Sequence, residues 1–116
     1  MKTPYVARVI LYVPDIPSVA SFYQRHFSLF PLPSESARWL ELQSSSGDCT
    51  IALHQASKSQ KSGAAIKIVF GVSDVLAFRE QKIKEGLEFG EVYDIDGFMF
   101  SNAKDPAGNA IQISSR

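Results

Sequence analysis

The sequence feature that most constrains the fold of this chain is a weak internal repeat. Residues 9–15, VILYVPD, recur as residues 68–74, IVFGVSD, at a distance of 59 residues. Residues 47–53, GDCTIAL, correspond in the same way to residues 108–113, GNAIQI, at a distance of 60 or 61 residues. Two pairs of segments in the same order and with nearly the same spacing predict that one architecture occurs twice along the chain.

The first half is predicted to contain one strand, one helix and two further strands. Its strand segments, rich in β-branched and aromatic residues, are 5–13, 37–43 and 49–54. Asp15 is a candidate N-cap, and the helix after it is expected to end near Ser28, before two prolines. The side chains at helical spacing in this segment are Val19, Phe22, Tyr23, His26 and Phe27.

The second half is predicted to repeat this order and to end in three short strands. Asp74 is the candidate N-cap and Gly86 the candidate terminator of its helix. The expected helix side chains are Val75, Phe78, Arg79, Lys82 and Ile83. The strand segments are 65–72, 89–93, 98–102 and 109–114, with turn chemistry at Asp96-Gly97 and at 105–108.

Length and composition limit the class of protein. A chain of 116 residues with 45% hydrophobic residues fits one domain, 1–116, with modules at about 1–56 and 64–116 joined by a polar linker. Twelve Lys and Arg balance twelve Asp and Glu, so the net charge of zero favours neither nucleic acid nor a membrane surface as partner. The single Cys49 and the lack of an apolar targeting or spanning segment predict a cytoplasmic location.

Several of these segments together resemble the vicinal oxygen chelate superfamily, which includes glyoxalase I, bleomycin- and fosfomycin-resistance proteins and extradiol dioxygenases. The matching features are the two strand-x-Asp-helix segments, the pair Phe22-Tyr23, and the run DPAGNAIQI at 105–113. The resemblance covers essentially the whole chain. It implies an α+β fold in which two βαβββ modules form curved mixed sheets around a cavity, and it implies a homodimer.

The resemblance also assigns four positions to the divalent metal that enzymes of this superfamily use. Those positions, which carry His or Glu in metal-dependent members, fall on Arg8, Ala52, Lys67 and Gln112. Arg and Lys have no lone pair to donate at neutral pH, Ala has no ligating atom, and a lone amide oxygen binds weakly. We therefore expect no metal site and no cofactor.

Strand periodicity selects the side chains that face the implied cavity. If alternate residues of the first strand pack on the helix, the others, beginning with Arg8, face the cavity. The next strand presents either Trp39 and Glu41 or Leu40 and Leu42, and the polar and aromatic pair is favoured. The candidate ligand-binding residues are Arg8, Tyr12, Trp39, Glu41, His54, Lys67 and Gln112, with Phe98, Phe100 or Met99 as further candidates.

Several of these candidates have a second interpretation. Arg8 and Lys67 would bind an anionic or carbonyl-rich ligand, or each would pair with Glu41 or another acid. His54, together with Glu41, is a candidate for acid–base catalysis, and the alternative is a solvated side chain at a strand end. Trp39 is either a stacking platform for a flat ligand or an aromatic residue of the core or of a dimer interface.

The leading functional hypothesis is a metal-independent small-molecule-binding protein of the glyoxalase/bleomycin resistance type that sequesters a drug or metabolite. The alternative is a lyase, isomerase or dioxygenase of the same superfamily with an atypical metal site or none. A third is a structural or regulatory domain with a closed pocket. Bleomycin itself is not favoured as ligand, because Arg8 and Lys67 would repel a cationic drug.

Overall fold

The computed structural model of the chain describes Val6, residues 8–61, Gly63 and residues 66–115. The chain divides into two compact units, residues 1–62 and 63–116. The first residues predicted for the opening strands of the two halves, Tyr5 and Ala65, lie outside the described residues. Each unit has the predicted βαβββ order of elements, so the α+β class is confirmed.

The first unit contains one helix and a mixed four-stranded sheet. Its elements are β1 (Arg8–Val13), α1 (Ile16–Phe27), β2 (Phe30–Pro31), β3 (Trp39–Gln43) and β4 (Thr50–Gln55). The strand order is β1-β4-β3-β2, with β1 parallel to β4 and the other pairs antiparallel. The two-residue strand β2, which includes Pro31, was not predicted from the sequence because it is too short to show alternation.

The second unit has the same arrangement. Its elements are β5 (Lys67–Gly71), α2 (Val75–Lys84), β6 (Tyr93–Ile95), β7 (Phe98–Lys104) and β8 (Ala110–Ser114). The strand order is β5-β8-β7-β6, with β5 parallel to β8 and the other pairs antiparallel. The strand predicted at 89–93 was wrong, since pairing begins at Tyr93.

The segment before β6 is held by side chains instead of by a strand ladder. Phe89 is buried, and the Gly90 carbonyl accepts hydrogen bonds from Arg79 Nε at 2.7 Å and from Ser101 Oγ at 2.9 Å. The Gly90 N–H donates to the Asn102 carbonyl at 2.8 Å. Aromatic and β-branched composition alone does not distinguish such a buried loop from a strand.

The register shows that the two units repeat residue by residue along their parallel strands. Arg8 lies opposite Thr50 in the first sheet, and Lys67 lies opposite Ala110 in the second. Arg8 precedes Lys67 by 59 residues, and Thr50 precedes Ala110 by 60, which is the spacing of the sequence repeat. The repeat predicted from sequence is therefore also a repeat of strand register.

Both helices begin at the predicted aspartate. Asp15 and Asp74 have nearly identical backbone angles, φ −136° and ψ 94° against φ −134° and ψ 96°. Each carboxylate accepts the N–H of the residue three positions later, at 3.4 Å from Ser18 and 3.0 Å from Ala77.

In the described part of the chain, no helix is long and apolar enough to cross a membrane.

One face of each sheet packs on the helix of its own unit. In the first unit the buried side chains of this face are Leu11, Val13, Leu42, Ile51 and Leu53. In the second unit Ile111 and Ile113 are fully buried, and α2 contacts β7. Helix α2 is less buried than the sequence predicted, because Val75 is its buried residue and Ile83 is exposed.

The run at 105–109 forms a self-contained turn that starts β8. The buried Asp105 carboxylate accepts from the Ala107 N–H at 2.9 Å, the Asn109 N–H at 2.8 Å and Asn109 Nδ2 at 3.0 Å. Gly108 has a φ of +88°, which a side chain would strain. The first part of the run DPAGNAIQI, on which the superfamily resemblance partly depends, thus has a structural role.

We expect the two capping aspartates to contribute equally to stability. Asp15→Ala and Asp74→Ala should each lower the free energy of unfolding by about 1 kcal/mol, because each leaves helix N–H groups without an acceptor. Asp15→Asn and Asp74→Asn should retain most of the stability. Urea denaturation of the four variants measures this, and a cost confined to one helix would contradict the equivalence of the caps.

Removal of the Asp105 carboxylate should destabilise the protein more strongly. Asp105→Ala leaves two backbone N–H groups and the Asn109 amide without their acceptor, and we expect a loss of about 2–4 kcal/mol in urea denaturation. Asp105→Asn retains an acceptor oxygen and should lose less. Equal stability of Asp105→Ala and the parent protein would show that the turn does not depend on these hydrogen bonds.

Candidate functional site

The face of the first sheet that points away from α1 carries most of the predicted site residues. We call it the first distal face, and its residues are Arg8, Ile10, Tyr12, Phe30, Trp39, Glu41, Gln43, Thr50, Ala52 and His54. The register places Glu41 opposite Ala52 and Trp39 opposite His54. Leu42 is fully buried on the other side, so Trp39 and Glu41 lie on the side of the sheet that faces away from α1.

A polar group occupies one end of the first distal face. Glu41 Oε2 accepts from Thr50 Oγ1 at 2.8 Å and from Arg8 Nε at 3.4 Å. The hydrogen bond from Thr50 is the main cause that holds the pKa of Glu41 below its ordinary value, and Arg8 adds to it while partial burial opposes it. Glu41 is therefore an ionised acceptor whose charge is compensated by Arg8.

An aromatic group occupies the other end of the first distal face. The ring centroid of His54 lies 5.0 Å from that of Tyr12 and 5.9 Å from that of Trp39, the latter in an edge-to-face arrangement. His54 Nδ1 is 3.0 Å from the Gln55 carbonyl, which can only accept, so Nδ1 carries the proton. In a neutral imidazole Nε2 then has a lone pair for a hydrogen bond.

The corresponding face of the second sheet carries the remaining predicted residues. We call it the second distal face, and its residues are Lys67, Val69, Gly71, Tyr93, Ile95, Phe98, Phe100, Asn102, Lys104, Ala110, Gln112 and Ser114. Asn102 Oδ1 accepts from Lys67 Nζ at 3.0 Å and from Gln112 Nε2 at 2.9 Å. The rings of Tyr93 and Phe100 stack with centroids 5.3 Å apart.

A comparison with protein-family models shows which superfamily this chain belongs to. A family model described as the Glyoxalase/Bleomycin resistance protein/Dioxygenase superfamily matches residues 5–113. The chain belongs to this superfamily. A comparison with curated proteins gives no match.

Solved structures share the fold of this superfamily member. TnmS3, an antibiotic binding protein from Streptomyces sp. CB03234, has a TM-score of 0.83 at 17% identity, with 97% of this chain and 96% of that chain covered. Lactoylglutathione lyase from Agrobacterium tumefaciens has a TM-score of 0.76 at 14% identity, with coverages of 97% and 95%. The oxidase ChaP-H2 has a TM-score of 0.80 at 18% identity, with coverages of 99% and 95%. Identities this low establish the fold and no shared activity.

The four positions that the superfamily resemblance assigns to a metal do not fit a metal ion in this chain. The Arg8 guanidinium is engaged with Glu41, and the Lys67 ammonium with Asn102. Ala52 provides a methyl group, and Gln112 uses its amide nitrogen as a donor. Among the residues that the structure describes, no group of three or more His, Cys, Asp or Glu could hold a metal.

The predicted site residues thus divide between the two distal faces. The first distal face brings together Arg8, Tyr12, Trp39, Glu41 and His54, and the second brings together Lys67 and Gln112. The sequence interpretation missed Thr50, Asn102 and Lys104. Period two would have found Thr50, which precedes Ala52 and His54 in β4, and the other two, which continue the alternation of Phe98 and Phe100 in β7.

The lowered pKa of Glu41 predicts a specific dependence of stability on pH. A carboxyl group whose pKa is lower in the folded state stabilises the protein above its unfolded-state pKa, about 4.3 for glutamate, and this contribution is lost as pH falls through the folded-state pKa. Glu41→Gln should remove this contribution, so its stability should fall less steeply on acidification.

Urea denaturation midpoints between about pH 6 and about pH 3 measure the effect. Thr50→Val is the matched variant, because it removes the main cause of the lowered pKa while Arg8 remains. It should reduce the pH dependence in part. If Glu41→Gln retained the full acid sensitivity of the parent protein, the Glu41 carboxylate would not be its source.

Proposed function

We propose that this protein binds a small organic molecule without a resident metal ion and acts by sequestering it. The observation that carries the proposal is the composition of the first distal face, where an aromatic group of Tyr12, Trp39 and His54 adjoins a charge-compensated polar group. A few polar side chains beside aromatic surface is the usual composition of a small-molecule site.

The chemistry of the polar group favours binding over catalysis. Glu41 accepts hydrogen bonds from both Thr50 and Arg8, and its pKa is lowered, so it is a poor proton acceptor at neutral pH. The neighbouring fold relatives include a lyase and an oxidase as well as an antibiotic binding protein. The fold therefore leaves both classes open, and the side chains of this chain support the binding class.

One observation supports a second candidate function, a proton-transferring enzyme such as a lyase or isomerase that works without a metal. His54 donates through Nδ1 to the Gln55 carbonyl, which orients the ring and leaves Nε2 as a proton acceptor between two aromatic side chains. In this case His54→Gln would abolish turnover, whereas for a binding protein it would alter affinity alone.

The proposal includes the remaining expectations for this superfamily member. They are a single domain of two modules, a homodimer, a cytoplasmic location, and a ligand that is neither nucleic acid nor membrane. Zero formal net charge supports the exclusion of polyanionic partners. Light scattering tests the dimer.

The position of Trp39 provides a direct binding assay. It is the single tryptophan of the chain and lies on the first distal face, so its fluorescence reports on ligands bound there. We expect planar aromatic compounds from a metabolite and antibiotic library to change Trp39 emission saturably and to raise the melting temperature. The protein prepared with and without chelator should behave identically.

Matched variants separate site binding from nonspecific quenching. Tyr12→Ala should weaken binding of a hit compound about tenfold, because it removes one wall of the aromatic group. Leu76→Ala, which removes an exposed apolar side chain on α2, should leave affinity unchanged. Stoichiometric nickel, zinc, iron or manganese in the purified protein, or a shift of several degrees with one of these cations alone, would overturn the proposal.

A further inference from the structure

The two distal faces differ in net charge. On the first, Arg8 is paired with Glu41. On the second, Lys67 and Lys104 both belong to the face, and within the described residues neither forms an ion pair. In the four strands of this sheet the one acidic residue is Asp94. Asp94 pairs with Met99, so it lies on the opposite side of the sheet from Phe100. The second distal face is therefore cationic.

The register places the two lysines in one cross-strand row. Lys67 in β5 and Lys104 in β7 both lie opposite Ala110 of the central strand β8. Two strand spacings separate their backbones by about 10 Å, and the flexible four-carbon stem of each lysine lets the ammonium groups approach one anion above the small Ala110. Ala110 adds only a methyl group between them.

The next row supplies neutral hydrogen-bonding groups. Asn102 Oδ1 accepts from both Lys67 Nζ and Gln112 Nε2, which fixes the orientation of the Asn102 amide and leaves its two Nδ2 hydrogens as donors. The Lys67 ammonium retains two further N–H donors. Donors exceed acceptors in this row, which suits an oxygen anion more than a cation.

The far end of the second distal face is hydrophobic. Tyr93 and Phe100 stack there, and Ile95 and Phe98 are 56% and 40% exposed. The lysine row contains Ala110 of β8, and the row of Phe100 contains Ser114. These two residues are four positions apart, which corresponds to about 13 Å along the strand. The face thus changes from cationic to amide to apolar along one direction.

We infer that the second distal face binds the carboxylate of an amphipathic organic anion between Lys67 and Lys104, with its hydrophobic part against Tyr93 and Phe100. This inference goes beyond the proposed function, which is argued from the first distal face, and assigns a class of ligand to the second distal face. The complementary ligand has one carboxylate, about 7–13 Å from an aromatic or aliphatic group. Asn102 and Gln112 contact the carboxylate or the polar atoms next to it.

Calorimetric titration with phenylalkanoates tests the inference. The probes are 6-phenylhexanoate and 8-phenyloctanoate, each compared with its primary amide, which has the same shape without the charge. The carboxylates should bind at least tenfold more tightly than the amides, and their affinity should fall as salt is added. Equal affinity of acid and amide, or no binding of the acids, would overturn the inference.

Charge-removal variants locate the site. Lys67→Gln and Lys104→Gln should each weaken carboxylate binding about tenfold and leave the affinity for the amides unchanged. Lys58→Gln, which removes the same charge from the exposed segment after β4, is the control and should have no effect. Circular dichroism and the melting temperature verify folding. If all three variants bound the carboxylates alike, the anion would bind elsewhere and the inference would fail.

The outcome for the ligand class is distinguishable from the outcome for the proposed function. If neutral or cationic library compounds bind and stabilise the protein while the phenylalkanoates do not, the inference fails and the proposed function stands. If no compound of any charge binds or stabilises the protein, both fail.

Discussion

The parallel pairing of the first and last strand in each unit is the constraint on which the rest of the structure depends. Pairing β1 with β4, and β5 with β8, brings together residues more than 40 positions apart in sequence. A parallel pair requires a long crossover connection, which in each unit consists of the helix and the two strands that follow it. The pairing places the first residue of each unit's sheet, Arg8 or Lys67, beside the strand that carries Ala52 or Gln112.

Much of this arrangement follows from local sequence. The helix starts at Asp15 and Asp74 and the turn at 105–108 depend on short-range chemistry, and each was predicted. Alternation left two orientations of β3 open, and the polar and aromatic character of Trp39 and Glu41 favoured the one in which Leu42 is buried. Elements without a local signature were missed: β2 is two residues long, and the segment around Phe89 is ordered by Arg79 and Ser101 from elsewhere in the unit.

The candidate site was predictable in its residues and less so in its interactions. Period two placed Arg8 and Lys67 on the distal faces, but the partner of each depends on the side chain that the neighbouring antiparallel strand presents opposite Ala52 or Gln112. Arg8 pairs with the acid Glu41 and Lys67 with the amide Asn102. Glu41 and Asn102 hold equivalent register positions, so the residue type at that position gives the two cations different charge environments. A duplicated backbone therefore does not impose a duplicated chemistry.

The turn formed by Asp105 and Asn109 has a wider consequence. Its hydrogen bonds close within five residues and fix the start of β8 without using the side chain of Gln112. The Gln112 side chain instead donates to Asn102 on the second distal face. In a scaffold of this kind, different residues start the strand and form the distal face. Exchanging one distal-face side chain therefore changes the chemistry of the face while the strand that presents it stays in place.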